Sequence, residues 1–380
     1  MDDPRRHHGD SSIGHLEGTE VGVTGILKAD EELEELLADF FGNEVSAELV
    51  DETERSGEWP ANLWASAAAA QLQLVGIDEE RGGVGGSLAD VAAIVRRAAA
   101  NCAPLPLAEN HLARYLMAAA GFVPPDGVIA VAGLGPEAAP TVINGRISGS
   151  LGPVPWADSA TTIALLTRDH VGTAVVALVA PSACTTVPSR DIGGLPSPRV
   201  LLDHVPVDVA PLSAGTDLGD VLLRAEVLRC AAMAGLLGRL LELTNEYVGT
   251  RHQFGKPIGA FQSVQVHVVT LAQAAAMSEV CVDRAVSAVV AGAGAVEVAA
   301  TALVVDDHAA LAVAAAHQAH GAIGMTREYP LQLVTRRLQA LRQGRTPTID
   351  VAERLGMIAR GAPSFSRLVA RHPEEEINYA

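Results

Sequence analysis

The spacing of apolar residues along this chain changes twice. From about residue 25 to residue 120 apolar positions recur at helical intervals. Residues 30–37, Asp-Glu-Glu-Leu-Glu-Glu-Leu-Leu, open the first helix with acids at the positive end of its dipole. Trp59-Pro60 starts another that runs to Ala70, with proline near its first turn. Ser87 or Asp90 caps a further helix reaching about Ala99. Near Gly127 the texture becomes that of strands. Short apolar runs cover residues 128–132, 141–143, 161–167, 173–180 and 200–207, and Asn144-Gly145 is a hairpin signal between them. From Asp217 helical spacing returns: residues 222–247 with Leu236, Leu237, Leu240, Leu241 and Leu243, then 263–290, 296–317 and an amphipathic 331–341 with Arg336 and Arg337 on its polar side. The pattern predicts an α+β chain. Residues 1–24 form a tail, 25–122 an N-terminal helical domain, 123–214 a small middle β domain, and 215–380 a C-terminal bundle of the four-helix type.

Composition changes this picture in three places. Hydrophobic residues are 49% but aromatics only 3%, so the core is built from Ala, Val and Leu and favours close helix contacts. The apolar run 285–305 approaches membrane-spanning length, yet it holds Gly292, Gly294 and Glu297 and follows Asp283 and Arg284, which reads as a buried bundle helix. The net charge of -18 argues against nucleic acid and anionic membrane as partners, because both need a basic face. An anionic ligand then needs a local arginine cluster. Arg336, Arg337, Arg342 and Arg345 are one candidate, and a solvated helix face is the plain alternative. Cys102, Cys184, Cys230 and Cys281 are scattered without a CxxC pair, so neither a metal site nor a disulfide framework is expected and a reducing cytoplasm fits. Residues 1–20 are polar, carry His7-His8, and lack the apolar core of a signal peptide.

The chemistry gathers around residues 251–262, Arg-His-Gln-Phe-Gly-Lys-Pro-Ile-Gly-Ala-Phe-Gln, between two helical runs. Pro257 and the glycines break the helical period there and predict a helix-turn-helix joint. An arginine fork suits phosphate oxygens and a glutamine can bond the same group, although a capped turn with one surface arginine is the simpler reading. The glycine-rich stretch 76–87 is not a Walker loop, since no Gly-Lys-Ser/Thr follows, and it does not follow a clear strand.

Residues 251–262 resemble the R-x-x-F-G-x-x-I-x-x-F-Q signature of the acyl-CoA dehydrogenase family. A second similar string follows at 318–324, Gln-Ala-His-Gly-Ala-Ile-Gly, continuing as Met325-Thr326-Arg327-Glu328-Tyr329-Pro330. The stretch 76–86 resembles the family's G-I-P-E-E-Y-G-G-x-G loop, with Asp78 for proline and Arg81 for the aromatic. The resemblance covers nearly the whole chain and is strongest in its actinobacterial, base-lacking subunits of heteromeric dehydrogenases. It implies an acyl-CoA dehydrogenase-like fold with FAD between the β domain and the bundle. It places Arg251 and Gln262 at the flavin diphosphate, Phe254 against the dinucleotide, and Gln318, Gly321 and Ala322 along the adenosine half. The implied reaction is α,β-dehydrogenation of an acyl-CoA thioester in fatty acid or steroid catabolism, with electron-transfer flavoprotein or a similar acceptor.

The departures bear on catalysis. The family's usual base, a glutamate, falls on Arg345, which does not lose its proton. A second family position for the base falls on Ala225, with Glu226 beside it but about 100° away around the helix. In the β domain the T-E-x-x-x-G-S-D string is replaced by residues 133–138, and G-x-K-x-W-I-T by residues 145–151, which lack the tryptophan that backs the flavin. Trp156 follows shortly and either takes a related place or simply packs. Three readings stand: a subunit whose paralogous partner supplies the carboxylate, a self-sufficient homo-oligomer with a relocated base, and a scaffold without flavin.

Overall fold

The computed structural model of the chain describes residues 26–134, 139–213, 216, 218–292, 294–343 and 348–361. The expected tail, residues 1–24, and Arg345 lie outside them. The first block is helical: α1 (Glu31–Glu44), α2 (Ala47–Ser56), α3 (Ala61–Ala69), α4 (Leu88–Ala100) and α5 (Leu107–Ala119). Their starts are written locally. Asp30 accepts from the Glu32 amide and Ser46 from the Leu49 amide. Ser87 and Asp90, between which the sequence left the cap open, act together. Ser87 Oγ accepts from the Asp90 N–H, and the Asp90 carboxylate accepts from the Ser87 N–H at 2.7 Å. Such a reciprocal box contributes about 1 kcal/mol.

Eight strands follow: β1 (Ile129–Ala132), β2 (Val142–Ile143), β3 (Arg146–Pro153), β4 (Thr162–Arg168), β5 (Ala174–Val179), β6 (Thr185–Val187), β7 (Arg199–Pro206) and β8 (Asp208–Pro211). They form two sheets ordered β1-β4-β5-β8 and β2-β3-β7-β6, antiparallel except for the β1–β4 pair. Asn144 and Gly145 both take positive φ, 50° and 69°, as the tight turn between β2 and β3 requires. The runs in β1, β4 and β5 are continuously apolar because that sheet is covered on both faces. Ala130, Ala132, Ile163, Leu165, Ala177 and Val179 pack onto the second sheet, whereas Ile129, Val131, Ala164, Leu166 and Val176 pack onto the helices. The period of two thus divides one strand between two cores.

The last block holds α6 (Leu218–Thr250), a short hairpin of β9 (His252–Gln253) and β10 (Lys256–Pro257), then α7 (Gln262–Val290), α8 (Ala295–His320), α9 (Leu331–Gln343) and α10 (Thr348–Gly361). The small side chains expected of an aromatic-poor core let the helices approach closely. A side chain on Gly235 of α6 would collide with the Arg96 carbonyl on α4. The apolar run 285–305 is two helices rather than one, because the chain turns at Gly292, where φ is 77°. Residues Ala295–Met325 are long and apolar enough to cross a membrane by length and composition. Within the fold, Val298, Ala302, Val305, Ala309, Ala312 and Ala316 of α8 form a stripe buried in the bundle core.

The arginine cluster requires a correction. Arg337 is 7% exposed and does not lie on a polar face. Its Nε and Nη2 donate to Glu54 Oε1 at 3.2 and 3.1 Å, and its Nη1 to the Ala103 carbonyl. Arg336 pairs with the other Glu54 oxygen, and Arg342 donates to Gln339. Glu54 is a buried carboxylate on α2 that demands cations, and α9 delivers them, so Arg336 and Arg337 are spent on the fold.

Candidate active site

The stretch 251–262 is a β-hairpin between two helices, not the helix-turn-helix joint its breakers suggested. The Arg251 amide still donates to the Tyr247 carbonyl of α6, and the Ile258 amide donates back to the Arg251 carbonyl at 2.8 Å. Within that closure Gln253 pairs with Lys256 and His252 with Pro257. Phe254 and Gly255 make the two-residue turn with φ of 53° and 80°. For glycine this is free; for phenylalanine the left-handed region costs about 1–2 kcal/mol. Phe254 is also 91% exposed and sits edge-on to Phe261, whose ring carries the Lys256 ammonium at 4.3 Å. A strained, solvent-facing aromatic at a hairpin tip contributes nothing to this chain's own core.

Arg251 is exposed at the hairpin base, and its guanidinium has no partner among the described residues. Gln262, also exposed, is the first residue of α7, whose N-cap Phe261 supplies no capping side chain. The Val264 and Gln265 amides donate to the Phe261 carbonyl, which leaves the Gln262 and Ser263 amides open to an anion. Gln318 is exposed on the last turn of α8, Gly321 ends that helix with φ 63°, and Ala322 is exposed after it. The two strings are brought to one end of the bundle by a clamp that sequence reasoning missed. Tyr247 stacks on His320 at 4.6 Å, Tyr329 closes edge-on against Tyr247 and tilted against His320, and the Tyr329 hydroxyl donates to the Leu243 carbonyl. Burial pushes the His320 pKa down, so the ring stays neutral within the stack. The available signal was scarcity: the chain has four tyrosines, and two of them are in this clamp.

The acyl side is different. Ala225 is half-buried and carries no ionisable group. Both Glu226 oxygens are held by Arg229, at 2.7 and 3.0 Å, and Arg229 reaches on to Asp306 and the Leu341 carbonyl, each at 3.1 Å. Arg229 thus ties α6 to α8 and α9, and the same guanidinium occupies Glu226, an arrangement that favours a structural ion pair over a relocated base. At the ring end, Gly149 stands where the backing tryptophan is missing. A Cβ there would come within 2.8 Å of Pro140 Cγ, and φ is 141°. Trp156 is 2% exposed and packs edge-on against Trp59 at 5.1 Å, so it joins the β domain to the N-terminal helices and is not available to a ligand. The residues present therefore fit the diphosphate and adenosine end of FAD and do not fit its ring.

Comparison with known proteins bears on the family and the fold. The model "Acyl-CoA dehydrogenase, N-terminal domain" matches residues 28–121, and "Acyl-CoA dehydrogenase, C-terminal domain" matches residues 221–345. The acyl-CoA dehydrogenase IpdE2 of Mycobacterium tuberculosis is 28% identical over 73% of this chain and 80% of its own length. Among solved structures, a Tcur3481-Tcur3483 steroid ACAD variant superposes with a TM-score of 0.78 at 22% identity, over 88% of this chain and 98% of that one. The ChsE4-ChsE5 complex from Mycobacterium tuberculosis does so at 0.76 and 19%, over 89% and 99%. Both helical blocks match the same family, and the β domain between them completes the shared fold: the chain belongs to the acyl-CoA dehydrogenase family.

Proposed function

We propose that this chain is one subunit of a flavin-dependent dehydrogenase that oxidises acyl-CoA thioesters between the α and β carbons. It lends the diphosphate end of a flavin site to a paralogous partner, and that partner carries the carboxylate base. The observation that carries this reading is a mismatch inside the chain. Arg251, Phe254 and Gln262 are exposed and unclaimed by the fold, while Ala225 carries no ionisable group and Glu226 is paired with Arg229. Arg251 would fork onto phosphate oxygens, with the open α7 amides beside it. Phe254 would lie against the dinucleotide, and Gly321 and Ala322 would let backbone approach the adenosine. When bound, FAD accepts the β hydrogen as hydride.

A partner surface lies next to these residues. Val266, Val269, Met277 and Val280 are exposed on one face of α7, starting one turn after Gln262, and Leu311 is exposed on α8. Such a contiguous apolar stripe calls for cover. The two superposed structures each carry a pair of proteins in their name, ChsE4-ChsE5 and Tcur3481-Tcur3483, which supports a paralogue as the cover. Four free cysteines suit a reducing cytoplasm, and electron-transfer flavoprotein or a similar acceptor would reoxidise the site. A fatty or steroid-derived acyl group is the substrate class.

The test is purification of the chain alone and together with a co-expressed paralogue bearing the family glutamate. A colourless, inactive single chain and a yellow, active pair are expected. A yellow chain that turns over by itself would sink the shared-site reading.

A further inference from the structure

Two arginines from separate elements converge on one turn of α5. Arg81, from the glycine-rich loop, donates from Nη1 to the Ala118 carbonyl at 3.1 Å. Arg224, on α6, lies over the Tyr115 ring, 4.1 Å from its centroid. The first is explained within the fold, since a cation on the last carbonyls of a helix is favourable, and Asp78 accompanies it. The second is not. Arg224 is half-buried, and no carboxylate of the described residues pairs with it, although acids outnumber bases 45 to 27 in this chain. A partly desolvated guanidinium without a counter-ion is unfavourable and leaves a place for an anion.

His111 stands one helical turn before Tyr115. It is 3% exposed; the Val75 backbone lies close enough to interact with the ring, although neither nitrogen makes a hydrogen bond of full geometry. Burial, reinforced by the charge of Arg224 and opposed by the Val75 backbone, pushes its pKa down to about 3, so the ring is neutral. The glycine-rich loop closes against it: Gly76 has φ of 77°, and a Cβ there would come 3.0 Å from His111 Cε1. Leu223 and Ala225, on either side of Arg224 in sequence, pack against the apolar core.

We propose that Arg224, with Tyr115 and His111, forms an anion subsite between α5 and α6 that recognises a free carboxylate carried by the acyl group. This rests on the acyl-CoA reading and narrows its substrate class to thioesters of dicarboxylic acids. A carboxylate suits the site better than a coenzyme A phosphate does. It brings one charge to one half-buried arginine among apolar side chains, whereas a phosphate brings more charge and needs more donors or water. Arg224 acts here as a specificity-determining residue and takes no part in bond breaking.

The experiment is calorimetric titration of the full chain, in the oligomer in which it purifies, with glutaryl-CoA, valeryl-CoA and free coenzyme A. Glutaryl-CoA should bind about tenfold to a hundredfold more tightly than valeryl-CoA, the range of one charge-assisted contact. Arg224→Gln should abolish that preference and Arg224→Lys keep part of it. Equal affinity of the two thioesters for the unmodified chain overturns the proposal, whatever the fate of the variants. So does a preference that survives Arg224→Gln. If Arg224→Gln weakens all three ligands by one factor, the anion is a coenzyme A phosphate and the acyl carboxylate is excluded. If no thioester binds, the acyl-CoA reading falls first, a failure distinct from the others.

Discussion

Phe254 concentrates the argument at the scale of single residues. A bulky side chain in the left-handed region, almost wholly in water, is retained against the preference of the turn itself. Asparagine is at home in that conformation, and Asn-Gly is the favoured pair for this turn. Phe254→Asn should therefore leave thermal stability unchanged or raise it by about 1 kcal/mol, while flavin retention by the assembled oligomer falls. Loss of stability with flavin retained would show instead that Phe254 serves the fold. Arg251→Ala should weaken flavin retention by about tenfold or more, the size of a charge-assisted contact, as read from flavin absorbance per protein after gel filtration. His111 gives a pH prediction. Its folded pKa, about 3, is depressed below the ordinary 6.5, so the stability it contributes is complete above pH 6.5 and is lost as pH falls toward 3. That loss amounts to about 2 kcal/mol between pH 7 and pH 5, and His111→Phe should remove it from the acid limb of a denaturation series.

Between elements, the informative contacts are those that claim charged groups the sequence left open. Arg337 was legible as the polar side of an amphipathic helix, because local spacing cannot reveal a buried carboxylate 283 positions away. Glu54 on α2 supplies it, and the pair clips the N-terminal helices to α9. Arg337→Ala should destabilise the chain by about 3–5 kcal/mol, lowering the midpoint of a thermal scan, since it leaves Glu54 buried with Arg336 alone. The stripe on α7 behaves oppositely: its valines gain nothing within this chain. Val269→Glu combined with Val280→Glu should leave helix content intact and split the oligomer, as measured by light scattering after gel filtration. An unchanged mass would remove α7 from the interface.

Over the whole molecule, two cores share one β-sheet. One core fills the space between the sheets, and the other runs from β1, β4 and β5 through α5 into α6. This continuity holds the hairpin at one end of the bundle in fixed relation to the β domain, although neither makes a complete site. Net charge of -18 adds a second constraint, because two copies repel at long range and a less acidic partner is favoured. Association of this chain with itself should therefore strengthen with salt, and sedimentation at low and high ionic strength reads that directly.

The sequence by itself determined the order of the layers and most element starts. Those depend on local quantities: apolar period, the Ser87–Asp90 box and the Asn144-Gly145 turn. It also located the two strings of the candidate site, because their residue types and spacing lie within short windows. What it could not determine was which charges remain available. Arg251 and Arg337 look alike as residues in arginine-bearing helical surroundings, yet one is free at a hairpin base and the other is consumed by Glu54. Trp156 became packing only once Trp59 was placed against it, and the pairing of Glu226 showed only once Arg229 closed on both its oxygens. Availability is a property of three-dimensional neighbours, and those neighbours are set by tertiary packing, not by the period of the chain.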